Sequence, residues 1–128
     1  MGSYVASQVV KAMIKKNIAV NGAKVLMLGI TFKENCPDVR NTKIVDVIAA
    51  LKDYGVEVDI FDPWASPAEV LHEYRLEVFN QQPAAKYNAI VLGVAHTEFL
   101  NLDLNLNLMD VGVVYDVKGT LHNADCRL

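Results

Sequence analysis

Cysteine is scarce in this chain: Cys36 and Cys126 are the only two, far apart, so neither a CxxC site nor a disulfide framework can form. No stretch has the charged, apolar, small-residue order of a secretory leader, and a cytoplasmic location is expected. Long apolar runs are missing. None approaches the roughly 20 residues a bilayer crossing needs, so no membrane association is expected. An excess of basic charge is missing too. Lys and Arg number 12 against 15 Asp and Glu, for a net charge of −3 and a pI near 5.5. That balance argues against nucleic acid and against a polybasic membrane anchor. Internal repeats and low-complexity tracts are absent, and nothing has metal-ligand spacing. Disorder is excluded by 52% hydrophobic against 21% charged residues. The 128 residues suit one domain. Surface scaling gives roughly 6,700 Å² folded against about 20,400 Å² unfolded, enough burial for a core without staples.

Apolar segments alternate with helical patterns. Residues 3–16 predict a helix with a narrow polar stripe of Ser7, Gln8, Lys11 and Lys15. Its wide apolar arc calls for partners on more than one side, either in something larger than this chain or by deep packing. After the Asn21-Gly22 turn, Lys24–Gly29 is a short apolar run that reads as a buried central strand. A polar loop follows, then a helix from about Thr42 to Tyr54, with Ile44, Ile48 and Leu51 at i, i+4 and i+7 and Gly55 at its stop. Val56–Phe61 is the second strand. Ser66-Pro67-Ala68-Glu69 combines an N-cap, a first-turn proline and a capping-box glutamate, so a helix is expected over 67–74. Leu76–Phe79 is expected as a short strand, 83–87 as one helical turn, and Ala89–Val94 as a buried strand. Thr97 is expected to cap a helix through Leu100, and Val113–Val117 to be the last strand. Residues 102–108 alternate like an exposed strand but are expected to form an irregular connection with a helical turn.

Strands joined by helical crossovers predict an α/β fold: a doubly wound parallel sheet of about five strands with helices on both faces. In such sheets ligands bind beyond the carboxyl ends of the strands, where the winding reverses beside the first strand. The loops after Gly29, Val94 and Val117 meet there. The first carries Thr31, Phe32, Lys33, Glu34, Asp38 and Arg40 and runs into a helix start, a setting that suits a phosphate. The same residues also suit a solvated loop in which Arg40 pairs with Asp38. The glycine-rich G-x-G-x-x-G turn is absent, since Gly29 is followed by Ile30 and Thr31, so direct dinucleotide binding is not expected. Asp59 or Asp62 could mimic a ribose-binding acid, though Asp62-Pro63 reads more simply as a turn. Lys118 ends the last strand at the same rim. His96 reads as structural and Trp64 as a packing residue. Cys36 lacks a histidine partner in the sequence and reads as inert.

The run Gly29-Ile30-Thr31-Phe32-Lys33-Glu34-Asn35-Cys36-Pro37-Asp38-Val39-Arg40-Asn41-Thr42 resembles the C-terminal domain signature of the UDP-glucose/GDP-mannose dehydrogenase family: strand, G-x-x-F-K, spacer, D-x-R, helix. Asp62-Pro63 and Asp116-Val117-Lys118-Gly119 resemble it too, and ENCPDVRNTK is most similar to the branch acting on UDP-N-acetylhexosamines. The resemblance implies a Rossmann-like domain that holds the nucleotide sugar of an enzyme oxidising a C6 hydroxyl to a carboxylate with two NAD⁺. It implies an N-terminal NAD-binding domain as partner, a central helical region that includes residues 1–20, a UDP-binding domain over 21–128, and a homodimeric parent. Phe32, Lys33 and Lys118 match substrate-contacting positions, and Arg40 a position reaching the NAD phosphates across the cleft. The family's catalytic cysteine falls in the part before Met1, so no catalytic residue is expected here and no turnover by this chain alone. A different function, a receiver-like signalling domain, would use Asp62 as phosphoacceptor and Lys118 after the last strand. It lacks the acidic pair such domains carry after their first strand.

Overall fold

A computed structural model describes residues 2–40, 42–102, 104–117 and 126–127. Helix α1 (Gly2–Lys15) precedes strand β1 (Lys24–Leu28), helix α2 (Ile44–Asp53), strand β2 (Glu57–Phe61), helix α3 (Pro67–Tyr74) and strand β3 (Val78–Phe79). Strand β4 (Tyr87–Leu92), helix α4 (Thr97–Leu100), a 3₁₀ turn (Leu104–Asn107), strand β5 (Leu108–Asp116) and strand β6 (Cys126–Arg127) complete it. The strands form one parallel sheet in the order β3-β2-β1-β4-β5-β6. This is the Rossmann order, with β1 beside β4 at the reversal, as the alternation of elements predicts. Among the described residues the sheet has six strands, the expected set of about five plus the short β6 beside β5.

β1 is central because its side chains suit burial on both faces. Val25 and Met27 point into one core with Ala89, Val91, Val113 and Tyr115, beneath α1 and α2. Leu26 and Leu28 point into the other with Phe61, Tyr87, Ile90, Leu92 and Phe99, as the two-residue period of a strand requires. The helices divide unevenly. Phe99 of the four-residue α4 and the half-buried Leu102 and Leu108 cover the second face. The apolar arc of α1 is largely satisfied within the domain: Val5, Ala6, Val9, Val10, Ala12 and Met13 are buried, whereas Tyr4 and Ile14 stay exposed. Gly2 lets α1 approach α2 closely, since a Cβ there would lie 2.7 Å from Asp46. In α2 the expected face of Ile44, Val47, Ile48 and Leu51 is buried. Ser66 caps α3 as expected, its Oγ accepting from the Glu69 N–H, with Pro67 in the first turn.

Three local expectations are corrected. Residues 83–86 are not helical. There the carbonyls of Pro83 and Ala85 accept from the Asn107 amide, and β4 begins at Tyr87. Thr97 lies inside α4 with His96 in the capping position, because the Thr97 hydroxyl is engaged with Asn35. β5 starts earlier than Val113, at Leu108, its pairing with β4 shifted between Tyr87 and Ala89. Among the described residues no helix is long and apolar enough to cross a membrane.

Gly29 sets the path from β1 into the site. Its φ is +93°, and a Cβ there would sit 2.6 Å from the Val94 Cβ. Glycine alone takes this backbone without strain. Gly29→Ala is expected to lose about 2 kcal/mol or more of stability, read as a lower urea midpoint at an unchanged slope.

Candidate functional site

The C-terminal ends of β1, β2 and β4 converge on one buried carboxylate. Asp62 follows β2 and is 0% exposed. Its Oδ2 accepts from the backbone N–H groups of Ile30 and Thr31, at 2.8 and 3.2 Å, and lies 3.0 Å from His96 Nε2. Its Oδ1 accepts from the N–H groups of Trp64 and Ala65, at 2.8 and 3.2 Å. Burial pushes this carboxyl up, but the bonds from His96 and from the Ile30 and Trp64 amides outweigh it, and the net value is below the ordinary carboxylate range. A phosphoacceptor must meet solvent. Asp62 does not, which removes the receiver-like reading, and with it the use of Asp62 as a ribose-binding acid. Asp59 is engaged elsewhere, accepting from the Tyr87 hydroxyl at 2.7 Å.

His96, also 0% exposed, is structural as expected. Its Nδ1 accepts from the Asn35 N–H at 2.8 Å. Its Nε2 meets both Asp62 Oδ2 and Thr31 Oγ1 at 3.0 Å. Thr31, His96 and Asp62 therefore do not form a proton relay, because the hydroxyl and the carboxylate share one ring nitrogen. Both nitrogens being engaged, His96 cannot serve as a base for the half-buried free thiol of Cys36. Trp64 lies over the imidazole, ring centroids 6.1 Å apart, and its Nε1 donates to Glu98 Oε1.

Between these anchors runs the loop after β1. Its Phe32 N–H donates to the Asp38 carbonyl at 2.7 Å, and the Tyr74 hydroxyl of α3 donates to the Val39 carbonyl. Thr42 Oγ1 accepts from the Ile44 N–H where α2 begins. The loop carries three of the four expected site residues, all exposed: Phe32 (57%), Lys33 and Arg40. Arg40 makes a two-pronged pair with Asp38, Nε to Oδ1 at 3.1 Å and a second nitrogen to Oδ2 at 3.3 Å. The hydrogen bond holds the Asp38 carboxyl low and the Arg40 guanidinium high. The ion-paired alternative for Arg40 is thus realised. Lys118 lies outside the described residues.

The turn after β1 does not form a cradle for a dinucleotide pyrophosphate. The space above Gly29 is filled by Val94, and the next two N–H groups, on Ile30 and Thr31, are spent on Asp62. Groups of three or more His, Cys, Asp or Glu able to hold a metal are absent among the described residues. A broad concavity of about 780 Å³ opens at the amino-terminal ends of β1, β4 and β5, among residues that include Asn21, Asn88 and Met109, away from these loops. Sequence reasoning missed the Asp62–His96 link. Its signal was two polar residues placed by topology at the same rim.

Residues 26–123 match the family model described as the UDP-glucose/GDP-mannose dehydrogenase family, UDP binding domain. The chain is 47% identical to a UDP-N-acetyl-D-glucosamine 6-dehydrogenase of Pseudomonas aeruginosa and 46% identical to one of Salmonella typhi, each match covering 100% of this chain but 32% and 31% of the relative. It spans about a third of the length of these curated relatives. Among solved structures, an NDP-N-acetyl-D-galactosaminuronic acid dehydrogenase of Methanosarcina mazei Go1 superposes with a TM-score of 0.83 at 20% identity. That match covers 94% of this chain and 26% of the other, and it carries the fold alone.

Removing the buried Asp62 carboxylate leaves its donors without an acceptor, and losing that set of hydrogen bonds to a charged group costs about 3 kcal/mol or more. Asp62→Ala is expected to lose that much at neutral pH in urea unfolding. Because the folded-state value of Asp62 lies below the unfolded one, its stabilisation is complete above about 3.9 and is lost as pH falls through the folded value. The gap between wild type and Asp62→Ala should therefore close progressively below about pH 4.

Proposed function

The chain belongs to the UDP-glucose/GDP-mannose dehydrogenase family as its UDP binding domain, and from that premise we propose that it is the nucleotide-sugar-holding part of an NAD-dependent UDP-N-acetylhexosamine 6-dehydrogenase. The observation that carries this reading is the loop after β1: its first backbone donors are consumed internally, while Phe32 and Lys33 stay exposed at the rim where ligands of such sheets bind. A diphosphate held there must be gripped by side-chain cations, and charge-assisted hydrogen bonds from lysine or arginine are roughly twice as strong as neutral ones. Lys33 and Lys118 are assigned to the diphosphate and Phe32 to the apolar parts of the nucleotide sugar. The two bacterial relatives, both UDP-N-acetyl-D-glucosamine 6-dehydrogenases, favour an N-acetylated sugar.

NAD does not fit the β1 turn, for the reasons of backbone given above. It is assigned to an N-terminal domain of the same enzyme, with Arg40 reaching it across the cleft by exchanging its Asp38 partner for a phosphate. Residues 1–20 are assigned to the central helical region of that enzyme. The whole enzyme is proposed to be a cytoplasmic homodimer that supplies C6-oxidised sugars for polysaccharide synthesis, its catalytic cysteine residing outside this chain.

Titration of the chain with UDP, uridine and inorganic phosphate tests the reading. UDP is expected to shift the amide resonances of Phe32 and Lys33, and uridine to do so far more weakly. Lys33→Ala should weaken UDP binding by about tenfold or more, the usual cost of a hydrogen bond to a charged group. Equal responses to UDP and uridine, or shifts confined to other surfaces, would contradict it. Incubation with NAD⁺ and UDP-N-acetylglucosamine should yield no NADH from this chain alone, and measurable production would place catalytic groups within it.

A further inference from the structure

We propose that His96 is a positioning residue: its buried neutral imidazole, locked on Asp62, fixes the backbone that offers Phe32 and Lys33 to a nucleoside diphosphate. The inference rests on the UDP-binding reading above and goes beyond it in naming what shapes the grip.

The tautomer follows from the partners. The Asn35 N–H can only donate, so Nδ1, 2.8 Å away, is bare. The ring proton is then on Nε2, aimed at the Asp62 carboxylate and at Thr31 Oγ1. Thr31 Oγ1 in turn donates its own proton to the Lys33 carbonyl at 3.0 Å, leaving its lone pairs for Nε2–H. Protonating Nδ1 would set two N–H groups against each other, so the arrangement selects the Nε2–H form.

The geometry is that of a strut. Thr31 and Asn35 bracket the three residues between them, and each is tied to a different nitrogen of one rigid ring. Thr31 is anchored a second time through its N–H on Asp62. Asn35 is anchored a second time by a reciprocal pair with Thr97, its amide donating to Thr97 Oγ1 at 2.9 Å and its carbonyl oxygen accepting the Thr97 N–H at 3.0 Å. Asn35 holds a left-handed φ of +54°, a conformation kept by this set of bonds. Trp64 shields one face of the ring. The side chains of Phe32 and Lys33 remain free while their backbone is fixed, so less ordering remains to be done when a ligand arrives.

The test combines nitrogen-15 spectra of the imidazole, amide relaxation at Phe32 and Lys33, thermal melts and UDP titration of the 128-residue chain. Wild type is expected to show a bare Nδ1 and a protonated Nε2. Thr97→Val, at the exposed end of the network, should weaken UDP binding about threefold to tenfold with exchange broadening at Phe32 and Lys33 but little change in melting, and Thr97→Ser should restore both. His96→Gln, which removes the rigid ring that joins Asn35 to Asp62, should weaken UDP binding about tenfold. A protonated Nδ1 in wild type overturns the proposal, as does UDP binding within twofold of wild type in both Thr97→Val and His96→Gln. If wild type itself shows no UDP response at Phe32 and Lys33, the UDP-binding reading falls and this inference with it. A normal wild-type response with indifferent variants sinks the positioning role alone.

Discussion

A carboxylate taken out of water must be repaid with donors, and Asp62 collects five of them from three chain segments. That requirement shapes the ligand-binding rim of this domain. Two donors are the backbone N–H groups that leave β1, two follow the turn after β2, and the fifth is the imidazole carried by the segment after β4. None of these segments contributes a long helix or strand at that point, so local hydrogen bonding within each could not define their relative placement. The shared acceptor does, and the full burial of both Asp62 and His96 keeps water from substituting for the donors.

The chemical character of the site follows from how those donors are used. A glycine-rich nucleotide turn presents free N–H groups and open space to a pyrophosphate. Here the corresponding N–H groups face inward to Asp62, and Val94 fills the space above Gly29. The turn after β1 therefore offers an anion no glycine-rich cradle, and the cationic side chains at the rim become the stronger donors. Among the described residues of this loop, Lys33 makes no ion pair, whereas Arg40 already carries a carboxylate partner. An arginine so paired is held at the rim in a defined posture.

Much of this was legible in the sequence, and what was not has physical causes. The short, wholly apolar run after the Asn21-Gly22 turn located β1, and the 3.6-residue period of Ile44, Val47, Ile48 and Leu51 located α2, because burial on two faces or on one leaves a pattern. Ser66-Pro67 located the start of α3 because capping is local chemistry. The segment 83–86 and the start of β5 were misplaced because their backbone groups bond to distant partners: the Pro83 and Ala85 carbonyls to Asn107, and Leu108 to Tyr87 across a shifted register. Asp62 and His96 were each visible as rim residues, and His96 was read correctly as structural. Their mutual contact spans 34 residues of sequence and leaves no periodic trace. Thr97 was read as a cap because its position relative to the helix is visible in sequence, whereas its competing partner Asn35 is not.

An exposed phenylalanine on a well-anchored loop is the last point at which structure bears on function. Leaving an aromatic side chain more than half in water forfeits part of the roughly 2 kcal/mol that its burial would supply, and a loop free to rearrange would fold Phe32 back onto the protein. This loop is not free to do so. Asp62 and Thr31 hold one side of Phe32, the Asp38 carbonyl holds its own N–H, and His96 holds the far side through Asn35. The network that stabilises the rim thus prevents the collapse of its most apolar exposed group. It keeps an aromatic face and a lysine charge side by side in sequence at the mouth of the sheet, a pairing that suits a ligand with an apolar portion attached to an anion.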